Sequence, residues 1–510
     1  MSTGLASYPR DYQSPQDGRW FVAAVALLYG ALHLATIHAY GWFRDELYYI
    51  ACGEHLDFGY VDHPPLVALI ARITRGLFGG SLFATRLPSV LAGMAVIWLC
   101  GSIARQLGGG RWAQGMAALC AVVGPVYLFA FHVLSMNSFD ILFWTLGALV
   151  VVKIVNGGDP RLWLLFGLVC GLGLQNKHSL LFFGFGVFAG LLLTPERRHF
   201  RERWIWIGGA IAVLLFLPHV LWQIAHGWPT AEFVRNATAH KNVALSPLAF
   251  FGAQVKQMHP LTFPVWLTGL IWLFRSRYRV LGWVYVAAFL VLITQASKAY
   301  YLSPAYPPLF AAGATAIESW IRRPALRALL AVLLVAGGAV TAPLTLPILP
   351  VERFTRYMRA LGIEVSAGER HDMGALPQHY ADMHGWEEMV AEVARVYNSL
   401  PPEERARAGI YGQNYGEAGA VDLLGRKYGL PKASSGHNNY YFWGPQGSGE
   451  TLIILGGDAE DHRQAFKDVR QAGEIRCGLC MPYENNQPVW IARGLKAPIE
   501  QVWPMTKHYD

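Results

Sequence analysis

Apolar stretches long enough to cross a bilayer recur through the first 350 residues, and this feature constrains the chain more than any other. We read about eleven: 20–39, 84–104, 112–131, 139–155, 161–176, 179–194, 204–226, 259–274, 280–296, 302–321 and 325–348. The pair 161–176 and 179–194 reads equally as one long broken helix. The first stretch lacks a cleavage site and reads as a membrane anchor. Composition agrees. Only 15% of the 510 residues are charged, against about 25% in ordinary soluble domains. A single large soluble enzyme, a disordered chain and a collagen-like repeat are excluded. The expected fold is a polytopic α-helical membrane protein over 1–350, followed by a soluble α/β domain over 351–510.

Charge gives the orientation. Arg105–Arg111, Lys153–Arg161, Arg197–Arg203, Arg275–Arg279 and Arg322–Arg327 are alternate loops, and all are basic. By the positive-inside rule they face the cytoplasm. The N-terminus is then inside and the 351–510 tail is extracytoplasmic, in a multi-pass protein of the cell inner (plasma) membrane. Residues 1–350 carry a net +12 and the tail a net −4. The overall +8 is therefore a topology signal, and no nucleic-acid partner is implied.

In the tail, Ala408–Tyr411, Thr451–Leu455 and 487–494 read as strands. Glu417–Tyr428, His462–Ala472 and the amphipathic Trp386–Leu400 read as helices. The Gly412–Gly416 run follows a strand and precedes a helix. It reads as a tight turn or as an anion cradle. His437–Tyr441 with Trp443 is a polar aromatic cluster suited to sugar stacking or to packing. Six cysteines set no disulfide framework. Cys477 and Cys480 face an oxidising compartment in this topology, as a local disulfide or as two thiols.

Acids beside a membrane are costly and so are functional candidates. The first 350 residues hold 13, of which seven map to the outward side and five of those lie in Arg44–Pro65. Asp45 and Glu46 stand at the start of a short helix, where the helix dipole favours carboxylates. Asp62-His63-Pro64-Pro65 precedes a second, amphipathic helix, 66–78. Two acidic groups about sixteen residues apart on one loop can converge on one pocket.

Further motifs follow in order: Asn176-Lys177, Trp222-Gln223, His226-Gly227-Trp228-Pro229-Thr230, and Ser297-Lys298-x-Tyr-Tyr-Leu-x-Pro-x-Tyr-Pro. This order resembles the polytopic GT-C glycosyltransferases, in the branch of protein O-mannosyltransferase-like enzymes and the aminoarabinose transferases of lipid A. The resemblance covers the membrane half. It departs at Asp62-His63-Pro64-Pro65, where the aminoarabinose transferases carry Glu-Lys-Pro-Pro. That puts lipid A aminoarabinose transfer in doubt.

The resemblance implies inverting transfer of a sugar from a polyprenyl-phosphate donor to an extracytoplasmic acceptor. Asp45 matches the catalytic acid of the family's first loop and would act as base on the acceptor hydroxyl. Glu46 would support it or bind acceptor or metal, and Asp62 would be the second carboxylate. Phosphate wants a cation. Lys177 at a two-helix corner, Lys298 with Tyr301, and His63 are the donor-side candidates, with Arg235 secondary. Asp140, entering the fourth stretch, needs a basic partner or a hydroxyl in the site. Asp45, Asp62 and His63 offer ligands for a divalent metal ion, which the chemistry does not demand. The 227–258 loop reads as a lid over the donor. Alternatives are synthesis of the lipid-linked sugar itself, or its transport without chemistry.

Overall fold

The computed structural model describes residues 17–295, 297–365 and 372–510. The N-terminal residues, on which the inside orientation of the terminus bears, and Ala296, the last of the 280–296 stretch, lie outside them. Among the described residues the first part of the chain forms sixteen α-helices: α1 (Arg19–Thr36), α2 (Arg44–Glu54), α3 (Leu66–Phe78), α4 (Leu82–Gln106), α5 (Arg111–Val123), α6 (Pro125–Ala130), α7 (Met136–Val155), α8 (Leu162–Leu174), α9 (Leu180–Leu192), α10 (Arg203–Ala225), α11 (Pro229–Asn236), α12 (Pro247–Gln257), α13 (Phe263–Arg275), α14 (Arg279–Ile293), α15 (Tyr306–Trp320) and α16 (Pro324–Thr341).

Each of the eleven apolar stretches is helical. Length separates them. By length and composition, α1, α4, α7, α10 and α16 extended to Leu344 can cross a bilayer, and α9 with the bent 195–201 turn makes a sixth. The remaining apolar helices run 13 to 15 residues. Sequence explains the shortening. Gly124-Pro125 splits the 112–131 stretch into α5 and α6, since proline bonds to no preceding turn. The helices approach closely where side chains are absent. A methyl group on Gly167 would collide with the Gly208 carbonyl between α8 and α10, and one on Gly313 with the Val265 carbonyl between α15 and α13. Small residues at such crossings let helices pack in lipid.

The tail contributes α17 (Val351–Ala360), α18 (Gln378–Ala381), α19 (Trp386–Asn398), α20 (Pro402–Arg405), β1 (Gly409–Tyr411), α21 (Tyr415–Leu424), β2 (Ala433–Ser434), α22 (Asn439–Trp443), β3 (Thr451–Leu455), α23 (Ala459–Ala465), β4 (Phe466–Ile475), β5 (Gln487–Leu495) and α24 (Ile499–Val502). Its sheet has the order β2-β1-β3-β5-β4. β1 lies parallel to β2 and β3, and β5 antiparallel to β3 and β4. One expected element changes. The helix over His462–Ala472 stops at Ala465, and the rest is β4, paired with β5 from Phe466 to Ile475. The strand partner outweighs local helix propensity there. Cys477 and Cys480 are disulfide-bonded.

The tail is not held at arm's length. Its helices α19 and α21 share one hydrophobic core with α2 and α3, through Leu47, Tyr48, Ala68, Trp386, Ala418 and Val421. Glycine makes this fit possible. A methyl group on Gly419 would lie 3.0 Å from Leu47 Cβ, and one on Gly416 2.9 Å from Arg44 Cγ.

Candidate functional site

The Arg44–Pro65 loop is anchored first by an acid that does no more than hold it. Glu46 stands three residues after the Phe43 cap of α2. Its Oε2 accepts from Phe43 N at 2.9 Å and from Arg86 Nη2 at 2.9 Å. Its Oε1 accepts from Arg86 Nε at 2.8 Å and from Leu134 N at 2.9 Å. Both side chains are fully buried. Arg86, on α4, also donates to the carbonyls of Ile37 and Gly41 at 2.8 and 2.6 Å. Every strong acceptor direction of Glu46 is thus taken. Of the roles expected for Glu46, these contacts fit the support of Asp45. Glu46 ties α2 to α4 and to the turn before α7, and so aims its neighbour.

Asp45 is half-buried, and its Oδ1 accepts from the Tyr415 hydroxyl at 2.9 Å. Tyr415 is the first residue of α21, in the tail. Asp62 Oδ1 accepts from the Tyr48 hydroxyl at 2.9 Å, and the rings of Tyr48 and Tyr415 lie 4.7 Å apart. The two carboxylates therefore meet through a pair of packed tyrosines. Burial pushes the Asp62 carboxyl above its usual range, and Asp45 adds to the rise. His63 and the Tyr48 hydroxyl act the other way. Tyr49, fully buried, lies within the field of Asp45, Asp62 and Tyr300.

His63 is wedged among Tyr48, Tyr49 and Tyr60, at ring distances of 5.8, 5.1 and 4.7 Å. Its Nδ1 donates to the Pro64 carbonyl at 2.8 Å. In the neutral ring Nε2 is then the lone-pair nitrogen, and it is buried with no hydrogen-bond partner. The ligand atoms of Asp45, Asp62 and His63 do not come within 4.8 Å of one another among the described residues.

Lys177 sits in the corner between α8 and α9. Its Nζ donates to Asn137 Oδ1 at 2.6 Å, lies 3.5 Å from Asp140 Oδ2 and stands 4.6 Å from the Tyr301 ring centre. The Tyr300 ring is at 6.0 Å. The basic partner expected for Asp140 is therefore Lys177, and the hydroxyl is that of Ser179. Tyr300, at the edge of this group, acts on the buried Tyr49 through the same field as Asp45 and Asp62. Lys298 is half-buried two residues before Tyr300. Arg235 is exposed on α11 and is not drawn into the group.

The Gly412–Gly416 run resolves as a structural turn. Gln413 N donates to Glu417 Oε2 at 2.6 Å, and Asn414 Oδ1 caps Gly416 N and Glu417 N at 2.8 and 3.1 Å. Internal oxygens occupy the amides an anion would use. The His437–Trp443 cluster divides. Trp443 stacks on His55 at 4.4 Å, and Asn439 Oδ1 accepts from Val61 N at 2.7 Å. Sequence reasoning missed Arg86, Tyr48, Tyr49 and Tyr415. Arg86 is an arginine inside an apolar stretch, and that was a legible signal of a buried partner. Tyr415 carried none.

Comparisons with known proteins bear on the fold that carries these residues. Residues 62–222 match the family described as Dolichyl-phosphate-mannose-protein mannosyltransferase. The chain is 25% identical over 297 residues to the lipid A galacturonosyltransferase RgtD of Rhizobium johnstonii, covering 56% of this chain and 62% of that one. It is 23% identical over 226 residues to the undecaprenyl phosphate-alpha-4-amino-4-deoxy-L-arabinose arabinosyl transferase 1 of Pseudomonas fluorescens, covering 41% and 35%. The chain thus spans less than two thirds of the length of these curated relatives. The crystal structure of ArnT from Cupriavidus metallidurans bound to undecaprenyl phosphate is 14% identical. It superposes with a TM-score of 0.58 over 92% of this chain and 97% of that one. The GT-C resemblance read from the motifs is borne out, and the fold is that of this superfamily.

Proposed function

We propose that this GT-C chain transfers a sugar, with inversion, from a polyprenyl-phosphate carrier to an extracytoplasmic acceptor. The relatives' names support a lipid-phosphate donor, and the alternating basic loops support an outward-facing site. The observation that carries the reading is the grouping of Asp45 and Asp62 with Lys177 through Tyr48, Tyr49, Tyr415 and Tyr300.

In this reading Asp45 takes the acceptor hydroxyl's proton as that oxygen attacks the anomeric carbon. Its free oxygen is the one not held by Tyr415. The anomeric bond to phosphate breaks on the opposite face, and the phosphate leaves with the bonding pair. Lys177 stabilises the charge that develops on it. Tyr300 and Tyr301 hold the ammonium, and Asp140 and Asn137 orient it. Asp62, held towards its neutral form by burial, orients the acceptor by hydrogen bond.

The test is transfer by the purified full chain from an undecaprenyl-phosphate sugar, with products identified by mass spectrometry. Asp45→Asn is expected to lower kcat by about 100-fold or more. Full activity of that variant overturns the role given to Asp45. Product formed only on free polyprenyl phosphate overturns the direction of transfer.

A further inference from the structure

A strained turn in the tail gathers three side chains that the transfer reaction does not use. Residues 435–439 and 506–510 run side by side. His508 N donates to the Gly436 carbonyl at 3.1 Å and Asn438 N to the His508 carbonyl at 3.0 Å, and His437 pairs with His508 as a parallel bridge. The approach is so close that a methyl group on Gly436 would collide with the Thr506 backbone. This pairing sets the two imidazoles nearly face to face, with centres 4.6 Å apart. The Asp510 carboxylate reaches the same point, with Oδ1 3.3 Å from His437 Nε2. One ligand atom from each of the three residues lies within 4.8 Å of the others, and no other such group of His, Cys, Asp and Glu occurs among the described residues.

The surroundings are those of a site rather than a chance meeting. His508 Nδ1 donates to the Thr506 carbonyl at 2.9 Å, which leaves Nε2 as a lone pair. Metal-binding histidines are held in this way by a carbonyl behind the ring. His437 is 4% exposed. Next to His437, Asn438 adopts φ 50° and ψ −131°, and both polar atoms of its buried side chain lack a partner. Such backbone strain persists where the structure needs it.

We propose that His437, His508 and Asp510 form a divalent-metal site, with zinc the best match. Two imidazoles and one carboxylate suit zinc, with a fourth position for water. The metal takes lone pairs from His508 Nε2, His437 Nε2 and an Asp510 oxygen. The proton His437 now carries on Nε2, donated to the Asp510 carbonyl at 3.0 Å, moves to Nδ1. The long 3.4 Å contact from Tyr415 N to Nδ1 is given up. The site lies directly behind the Tyr415 ring, which packs on His437 at 4.6 Å. It would fix residues 508–510 against the start of α21.

The experiment needs no turnover. The full chain in detergent is stripped with a chelator, dialysed with zinc, desalted and assayed for retained metal. Cobalt is titrated in parallel and followed by its visible absorption. One equivalent of zinc is expected, falling at least about tenfold in Asp510→Ala and in His508→Gln. The Asp510 side chain is 44% exposed, so its loss does not endanger folding. Asp62→Asn should retain the full equivalent. Wild-type protein that retains no zinc overturns the proposal. So does retention unchanged in both tail variants, or retention lost in Asp62→Asn instead.

Discussion

Glu46 separates two readings of the loop, because a catalytic acid and a buried brace respond differently to one change. Glu46→Gln keeps the shape and removes the charge. It leaves Arg86, fully buried, facing an amide whose NH2 group repels one guanidinium arm. Removing one partner of a buried pair costs about 3–5 kcal/mol, because the other charge stays uncompensated. Arg86→Met costs a similar amount and also strands the Ile37 and Gly41 carbonyls. The double variant removes both charges. It should therefore cost less than the sum of the singles, by about 2–3 kcal/mol of coupling. The assay is unfolding of the full chain in detergent. A thiol-reactive dye reads exposure of the buried cysteines Cys52, Cys100, Cys120 and Cys170. Turnover is then measured per folded molecule, below the unfolding midpoint. The expected result is a lowered midpoint with turnover within about threefold of wild type. A midpoint equal to wild type with turnover reduced about 100-fold would place Glu46 in the chemistry and refute the brace.

Three further outcomes follow from the same geometry. Tyr415→Phe removes a hydrogen bond to a carboxylate, worth about 1.5–3 kcal/mol, so kcat should fall by about tenfold or more while the donor KM stays within about twofold. Lys177→Met should lower kcat/KM for the lipid-phosphate sugar by about 10–100-fold, read from initial rates at varied donor. Glu417 and Glu484 are both pushed up by burial, and Glu484 adds to the rise at Glu417. The folded chain then holds protons more tightly than the unfolded one, so stability falls as pH rises from the ordinary glutamate value through the raised folded values. Glu417→Gln should flatten that slope in unfolding midpoints taken between about pH 5 and 8.

Much of this is legible in the sequence alone. Each stretch picked out by apolar length is helical among the described residues, because a lipid-facing segment cannot hide its composition. Five or six of these helices are long enough to cross by length and composition; elsewhere proline and glycine inside a stretch cut the helix without lowering its hydropathy, as at Gly124-Pro125. That Asp140 needs a basic or hydroxyl partner is legible as well, since a buried acid demands one; that the partners are Lys177 and Ser179 comes only from the fold. The role of Glu46 stays open there between support and binding, because an acid at N3 of a helix and an acid in a site look alike along the chain. The difference lies in Arg86, forty residues on. The sequence between 462 and 472 misled for a related reason. Its strand is made by β5, and local propensity does not see a partner.

Tyr415 lies 370 residues from Asp45, and its place explains why the tail is packed as it is. A loosely tethered tail could not hold a hydroxyl 2.9 Å from a loop carboxylate. This one is fixed on three sides. Gly416 and Gly419 bring α21 onto α2 at backbone contact. Glu54 pairs with Lys432 at 2.6 Å and with Arg426. Asn439 accepts from Val61 N and donates its own N–H to the Tyr48 hydroxyl at 3.3 Å. That last contact matters most, because Tyr48 is the residue that holds Asp62. The tail thus supplies the donor to one carboxylate and orients the donor to the other. Its closeness to the loop is then a requirement of the site: whatever loosens α21 should disturb both acids together, ahead of any effect on how the lipid half is folded.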